Sequence, residues 1–535
     1  MNAMIYHPLE EYDSKFKSLH ADNTLHFFEE LVRQSGVDPE ENRKTVRQYN
    51  EVTENLGKLK KKLNLWRFLR VLMILTLVLI PLVILKITPK IKGLREEIAQ
   101  ADQKAAELMT TAQQQMEPLN RLFTDRDALT IIEQTIPSLS FAPSFSVEQE
   151  ADMTVNYNFA DREKKEESTL DVLAGHYNGN PFLFEDRLIH RMGEETYHGY
   201  KTIRWTETYR GSDGKNHTRT RSQTLHATLV KPKPFYHTQV VLNYCAQGGP
   251  ELSFTRNATH LEQKSDKEIE KYIKKGEKKL DKMTDRAIKE NRDFMTMSNS
   301  GFEVLFDALD RTNEVQFRTL FTPLAQTNMV DLIRSRSGYG DDFDFIKQQR
   351  TNKIITQHSQ GRSITLPASA YPSYSFDTAK DNFLNKNCDF FKALYFDFAP
   401  AWAIPIYQEG PVQSLQPIPP SAQKYSCGEY ETLANRIRPD EVVHPQTKTQ
   451  AILKSSFVGS HDAADEVCIS ASSYDIISRV DLVPVYGNDG RWHDVPVTWD
   501  DYIPLEASHH FFVGAGDPAE DQSILAERDR VYMFR

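Results

Sequence analysis

The sequence predicts an α+β protein of several domains that is held in a membrane by a single transmembrane helix. Three observations support this fold class: the chain has 535 residues, one apolar run interrupts a charged sequence, and helical and strand-like patterns alternate after it. A chain of this length exceeds what one hydrophobic core serves, so several domains are expected. The formal charge of -10 argues against a protein built to coat nucleic acid, and no nucleic-acid partner is predicted.

The apolar run lies in "WRFLRVLMILTLVLIPLVILKITPK", residues 66–90. From Val71 to Leu85 it carries no charge, and Thr76 and Pro81 are the only residues there that are neither aliphatic nor Met. A membrane-spanning helix needs about 20 residues, and apolar flanks together with long basic side chains at the ends extend the run to that length. The sequence therefore predicts a transmembrane helix with interfacial flanks over 66–90. A buried core helix is the alternative.

The orientation of this span rests on how it would insert. Basic residues flank both ends in similar number, so the charge rule decides nothing. Because no leader peptide precedes the run, insertion as a signal anchor is the simplest route. We therefore expect a single-pass protein of the cell membrane, with residues 1–65 cytoplasmic, the C-terminal region extracytoplasmic and the lipid bilayer as a partner.

Long helices are predicted on both sides of the run. The first is an N-terminal helical region, residues 1–65, in which Asp38 caps a helix and Pro39 occupies its first position. The second is a stalk, residues 91–137, in which Ile91, Leu94 and Ile98 begin an apolar seam at heptad spacing. The seam has two interpretations: packing within the chain, or self-association and binding of a protein partner through the stalk.

A strand-rich domain is predicted for residues 138–262. Ile203, Trp205 and Tyr209 share one strand parity, and the turn sequence "GSDGKN" separates them from a second alternating strand, which indicates a long hairpin. Basic residues occupy its polar positions. These basic residues could bind an anionic polymer or lipid headgroups. The alternative is that they form a solvated face that protects an edge strand.

Two further regions follow. Residues 263–336 form a charged amphipathic helical segment that opens with a capping box at Ser265 and Glu268. Residues 337–535 form a C-terminal α+β domain, in which the turn at Asn488 to Gly490 predicts a last hairpin. The aromatic stretch 390–407 is interpreted as buried core rather than as a membrane-interface segment, because two charges and two prolines interrupt it.

No sequence motif identifies a reaction. P-loops, HExxH motifs and nucleophile elbows are missing from the sequence, so the catalytic residues are unknown and neither cofactor nor metal is predicted. Two clusters are candidates for chemistry: an acidic loop and the adjacent pair His509 and His510, which a strand would point to opposite faces. The acidic loop carries Asp341, Asp342 and Asp344. The cysteines fit two disulfides or four separate thiols, and they are Cys245, Cys388, Cys427 and Cys468.

The segments "GHYNGNPFLFED" and "EVQFRTLFTPLAQ" give the chain a family resemblance. In them the chain resembles uncharacterised membrane-anchored proteins of Gram-positive bacteria and mycoplasmas. The resemblance implies a bacterial, membrane-associated protein, and it supplies neither an activity nor site residues.

Two function classes remain from the sequence. The first is a non-catalytic, membrane-anchored interaction or scaffolding protein, favoured by large folded regions without a reaction motif. The alternative is a membrane-tethered enzyme such as a hydrolase, whose site residues are dispersed in sequence and meet only in the fold. A deep pocket that gathers Asp341, Asp342, Asp344, His358 or His509 would favour the enzyme.

Overall fold

A computed structural model gives the fold. It describes residues 4–75, 86–159, 165–212, 214–290, 294–411, 416, 418, 421, 423–437, 439–461, 464–515 and 531–534.

Helices form the N-terminal part of the chain, and a single short strand follows them. Their bounds are α1 Pro8–Glu11, a π-helical turn Tyr12–Phe16, α2 Lys17–Ser35, α3 Pro39–Leu75, α4 Thr88–Asn120, α5 Asp127–Thr135 and the strand β1 Leu139–Phe141. The predicted start of α3 is confirmed, because the Asp38 carboxylate accepts a hydrogen bond of 2.9 Å from the amide of Glu40.

Strands and helices alternate through the middle of the chain. Their bounds are α6 Val147–Tyr157, β2 Glu167–Tyr177, β3 Asn180–Arg210, β4 Asn216–Cys245, β5 Ser253–Arg256, α7 Asp266–Glu290, α8 Ser300–Phe306, α9 Glu314–Leu320, α10 Pro323–Arg334, β6 Phe343–Gln348 and β7 Thr351–Thr356. The capping box at Ser265 and Glu268 is present at the start of α7, where the amide of Ser265 donates to the Glu268 carboxylate over 2.9 Å.

The C-terminal part contains one long helix and a second set of strands. The bounds are α11 Phe376–Trp402, α12 Cys427–Ile437, α13 Pro439–Val442, β8 Ile452–His461, β9 Ala464–Tyr486, β10 Trp492–Ala515 and β11 Val531–Phe534. The aromatic stretch that starts at residue 390 is buried, as predicted: Phe391, Tyr395, Phe398 and Trp402 all lie in the interior.

The chain forms two compact units. The first contains residues 1–9, 138–364 and 396–535, and the second contains residues 10–137 and 365–395. Both sheets belong to the first unit. The helical core of the second unit brings α2 and α4 together with the first half of α11, through Phe28, Met116, Leu119 and Phe383.

In the second unit α3 and α4 form an antiparallel helical hairpin. Leu56 and Leu63 of α3 pack against Ile91 and Leu94 of α4 in one apolar cluster. Lys60 pairs with Asp102 across the hairpin at 3.1 Å. The seam that the sequence predicts on the stalk is therefore covered by α3 of the same chain, because the apolar stripes of the two helices face each other.

The prediction of a single-pass transmembrane protein is wrong. The helices before and after the apolar run lie side by side, whereas the predicted topology separates them by a bilayer. Among the helices that the structure describes, none is both long enough and apolar enough to cross a membrane. The centre of the predicted span, residues 76–85, lies outside the described residues.

The last turns of α3 carry an exposed apolar group. Its members are more than half exposed, and they are Leu65, Phe68, Val71 and Leu72. The predicted contact with a lipid bilayer stays a prediction.

The first unit contains two antiparallel sheets. The larger sheet has the strand order β1-β2-β3-β4-β7-β6-β5, and the smaller has β11-β10-β9-β8. Helix α12 contacts both sheets: its Glu431 carboxylate accepts from the amide of Thr169 in β2 over 2.8 Å and pairs with Lys454 of β8 at 2.7 Å. Both predicted hairpins, β3–β4 and β9–β10, are confirmed. Each hairpin extends well beyond the other strands of its sheet.

The hairpin of α3 and α4 predicts a specific crosslink. We expect the double variant Lys60→Cys, Asp102→Cys to form an intramolecular disulfide on mild oxidation in intact cells, because these side chains meet across the hairpin. The fraction of oxidised chain is read as a mobility shift on non-reducing gels. A matched control is Lys60→Cys with Glu117→Cys, because residue 117 lies about four helical turns further along α4 than Asp102, the partner of Lys60, and this pair should stay reduced. Failure of the first pair to crosslink would contradict the hairpin.

Candidate functional site: an arm of two β-ribbons

The candidate site is an arm built by the distal parts of the two long hairpins. Ribbon 1 comprises residues 194–210 of β3 paired with 216–232 of β4. Ribbon 2 comprises residues 474–486 of β9 paired with 492–504 of β10. The pairing of β9 with β8 ends at Ser472, and the pairing of β4 with β7 begins only at Leu242. Each ribbon is thus two-stranded along the arm.

The two ribbons pack face to face through a small apolar core. Ribbon 1 contributes Ile203, Leu225 and Ala227, and ribbon 2 contributes Val495 and Val497, all of them buried. Partly buried side chains surround this core, namely Tyr197, Trp205, Leu229, Val483 and Val485. A two-stranded hairpin alone is only marginally stable in water, so each ribbon supplies the apolar face that the other needs.

Glycine permits the close approach of the two backbones. A Cβ added to Gly199 of ribbon 1 would lie 2.3 Å from the carbonyl oxygen of Pro496 in ribbon 2. Such a distance is far inside van der Waals contact, so a larger residue would push the ribbons apart. Residue 199 therefore sets the spacing at the centre of the arm.

Lysines of ribbon 1 make the polar contacts with ribbon 2. Lys231 pairs with Asp481 at 2.9 Å, and its ammonium lies 4.0 Å from the ring centroid of Trp499. Lys201 donates a hydrogen bond of 2.9 Å to the carbonyl of Asp494. Since ribbon 2 is rich in carboxylates and ribbon 1 in basic residues, charge complementarity adds to the apolar packing.

The outer face of ribbon 2 exposes a row of large apolar side chains. Trp492 and Tyr486 sit opposite each other at the end of the ribbon, with ring centroids 5.4 Å apart, and Leu482 and Val480 continue the row. Their exposed fractions are 69%, 56%, 62% and 57%. Monomeric proteins seldom leave several large apolar side chains adjacent in water, so this row is the most unusual feature of the arm's surface.

The acidic loop that is a candidate from the sequence makes its contacts inside the protein. Asp341 forms an ion pair with Arg256, and both side chains are fully buried. Asp344 accepts a hydrogen bond of 2.8 Å from the amide of Ala258. Sequence reasoning missed Arg256, which lies 85 positions before its partner and carries no local motif.

Asp342 belongs to a second buried arrangement, with His358 and Asp397. The Nδ1 atom of His358 lies 2.6 Å from Asp342, and Nε2 lies 3.2 Å from Asp397. Ser359 and Thr356 donate further hydrogen bonds to the Asp397 carboxylate. Both ring nitrogens of His358 are thus engaged by carboxylates, which leaves neither to accept a proton from a substrate.

The electrostatics of this trio hold His358 in its charged form. Burial lowers the pKa of His358, but hydrogen bonds and charges of Asp342 and then Asp397 outweigh burial and raise the pKa to about 9. A buried imidazolium between two carboxylates ties the start of β6 and the end of β7 to α11.

Lys347 is a second buried titratable group of the same sheet. Burial lowers its pKa to about 7, and its Nζ donates to the backbone carbonyls of Gly248, at 2.8 Å, and Gln349. The lysine is therefore held by carbonyls rather than by a carboxylate.

The remaining candidates from the sequence do not converge on a site. His510 is exposed and lies 2.9 Å from Glu466, while its neighbour His509 points to the opposite face of β10. The four cysteines are free thiols. In the described part of the chain, histidine, cysteine and carboxylate side chains form no group of three that could hold a metal ion.

Two cavities lie elsewhere in the first unit. One of about 280 Å³ lies between α6 and the start of β3 and contains His176, and one of about 800 Å³ is lined by the end of α7 and by residues 309–318. Asp341, Asp342, Asp344, His358 and His509 line neither of them. These two cavities therefore do not gather the residues whose convergence would favour an enzyme.

Comparison of the chain with protein-family models, with curated proteins and with solved structures finds no match. The family resemblance noted from the sequence stays a prediction.

His358 and Lys347 predict opposite dependences of stability on pH. The pKa of His358 is raised in the folded chain, so its contribution is full below about pH 6.5 and is lost as pH rises to about 9. The pKa of Lys347 is lowered, so the cost of burying it is relieved as pH rises from about 7 toward 10.5. Between pH 7 and 9 the two effects offset each other in the native chain.

Single variants should separate these two effects. Relative to the native chain, we expect the free energy of unfolding of His358→Gln to rise, and that of Lys347→Met to fall, between pH 7 and 9, each by on the order of 2 kcal/mol. Urea unfolding at each pH measures both. His510→Gln removes an exposed histidine and should follow the native curve. Parallel curves for all four chains would refute the assignment.

Proposed function

We propose that this protein is a non-catalytic scaffolding protein whose copies associate through the outer face of ribbon 2. The observation that carries the proposal is the exposed row of Trp492, Tyr486, Leu482 and Val480. An apolar row on a two-stranded ribbon can be self-complementary, since a second copy turned by a two-fold axis presents the same row.

Sheet packing supplies the geometry for such a contact. Stacked sheets lie about 10 Å apart with interdigitated side chains, and the inner face of ribbon 2 already packs in this way on ribbon 1. A second copy on the outer face would continue the stack. Aromatic side chains are enriched in interfaces of this kind because they bury much area with few rotatable bonds.

The chemistry of the buried cluster supports this proposal over the enzyme hypothesis. His358, the best acid–base candidate, has both nitrogens occupied by Asp342 and Asp397. Lys347 is buried and bonded to carbonyl oxygens. Neither group is therefore placed to exchange a proton with a substrate.

Sedimentation velocity on the purified chain tests the proposal. The chain should sediment as a species of twice its 61.6 kDa mass at micromolar concentration. The variant Leu482→Thr, Trp492→Thr should weaken dimerisation by about 100-fold, because two large apolar side chains per copy no longer leave water. Threonine keeps the strand propensity of both positions.

The matched control is Met192→Thr, Val230→Thr. These two apolar residues of β3 and β4 are also about half exposed, but they lie outside the row. The control should dimerise like the native chain. A native chain that stays monomeric, or equal loss of the dimer in both double variants, would contradict the proposal.

A further inference from the structure

Ribbon 1 is longer than ribbon 2, and its inner face continues past the end of its partner. The turn of ribbon 2 lies at the level of the pair Ile203 and Gln223: the amide of Asn488 donates to the Gln223 side chain over 2.7 Å, and a Cβ on Gly487 would lie 2.8 Å from Ile203. Beyond this level three more cross-strand pairs share the same face. They are Trp205 with Arg221, Glu207 with Arg219, and Tyr209 with His217.

The exposure of this face rises step by step toward the tip. Ile203 is buried under ribbon 2, Trp205 and Glu207 are half-buried, and Tyr209 is exposed. On the opposite strand Leu225 is buried, whereas Arg221 and Arg219 are exposed. The part beyond Ile203, here called the overhang, is thus the uncovered continuation of an established interface.

The overhang combines aromatic rings with arginines. Glu207 accepts hydrogen bonds from Arg219, at 2.9 Å, and from Arg221, at 2.5 Å. The Arg219 guanidinium lies 5.2 Å from the ring centroid of Tyr209. Residues 204–221 contain five Lys or Arg against two carboxylates, in a chain whose net charge is -10. The overhang is therefore a basic, aromatic surface on an acidic protein.

We propose that the overhang binds an extended, acidic polypeptide segment, which stacks on ribbon 1 as a continuation of ribbon 2. The part of the inner face of ribbon 1 that ribbon 2 covers shows how such a segment would be bound. There ribbon 1 holds an acidic β-ribbon, since residues 475–506 carry seven carboxylates against two arginines, and Lys231 pairs with Asp481. The proposal concerns another face of the arm than the row on ribbon 2 and does not depend on it.

The chemistry of the contact follows from what lies on the face. Apolar side chains of the bound strand would cover Trp205 and Tyr209, as Val495 and Val497 of ribbon 2 share one buried core with Ile203, Leu225 and Ala227 of ribbon 1. Its carboxylates would take the two arginines from Glu207, which occupies them in the free chain. Glu207 is thus an internal competitor for the acidic partner.

The test uses a fluorescein-labelled synthetic peptide with the sequence of residues 492–501, which carries three aspartates. Fluorescence anisotropy with the full chain should show binding that weakens with salt. The double variant Arg219→Gln, Arg221→Gln should weaken binding by about tenfold. Glu207→Gln should tighten it, because the competing carboxylate is gone. Arg479→Gln, an exposed arginine of ribbon 2, is the control and should leave binding unchanged.

Three further probes separate this proposal from other partners. The same peptide with its aspartates changed to asparagine should bind at least tenfold more weakly. A fluorescein-labelled oligo-dT strand tests whether the overhang binds nucleic acid. Vesicles of phosphatidylserine and phosphatidylcholine test whether it binds lipid. Absence of binding by the acidic peptide, binding insensitive to the arginine variants, or arginine-dependent binding of the strand or vesicles alone would overturn the proposal.

Discussion

The apolar contact between the two long hairpins is the interaction on which the arm depends. Ribbon 1 and ribbon 2 each contain only two strands over this part of the chain, and neither has an apolar core of its own. Their shared core is small, so a close fit matters more than area, and Gly199 provides that fit. Without this contact both faces proposed for binding would belong to hairpins of marginal stability.

Local sequence patterns predict each hairpin. They do not predict that the two hairpins pack on each other, which is seen only in the structure. Alternation and turn chemistry act between neighbouring residues, so Ile203, Leu225 and the turn at Asn488 could be assigned from the sequence. Which face meets which depends on contacts such as Gly199 with Pro496, almost 300 positions apart. The same holds for Asp397, which completes the arrangement around His358 from α11.

The helical hairpin shows why a correct pattern led to a wrong topology. Apolar seams flank the run on both sides, and Ile91, Leu94 and Ile98 were correctly placed on one face. Periodicity identifies the face that is buried but not the element that covers it. The prediction assumed that the seams continue through a membrane, whereas Leu56 and Leu63 cover the second seam directly.

Hydrogen exchange measures the dependence of one ribbon on the other most directly. Val497→Ser removes an apolar side chain from the inner face of ribbon 2, while Val480→Ser changes the exposed outer face of the same ribbon. The account predicts that Val497→Ser speeds amide exchange in residues 223–229 of ribbon 1, although these residues are far from Val497 in the sequence. It predicts that Val480→Ser leaves amide exchange in residues 223–229 unchanged. Unaltered exchange in ribbon 1 after Val497→Ser would show that the hairpins stand independently and would contradict the account.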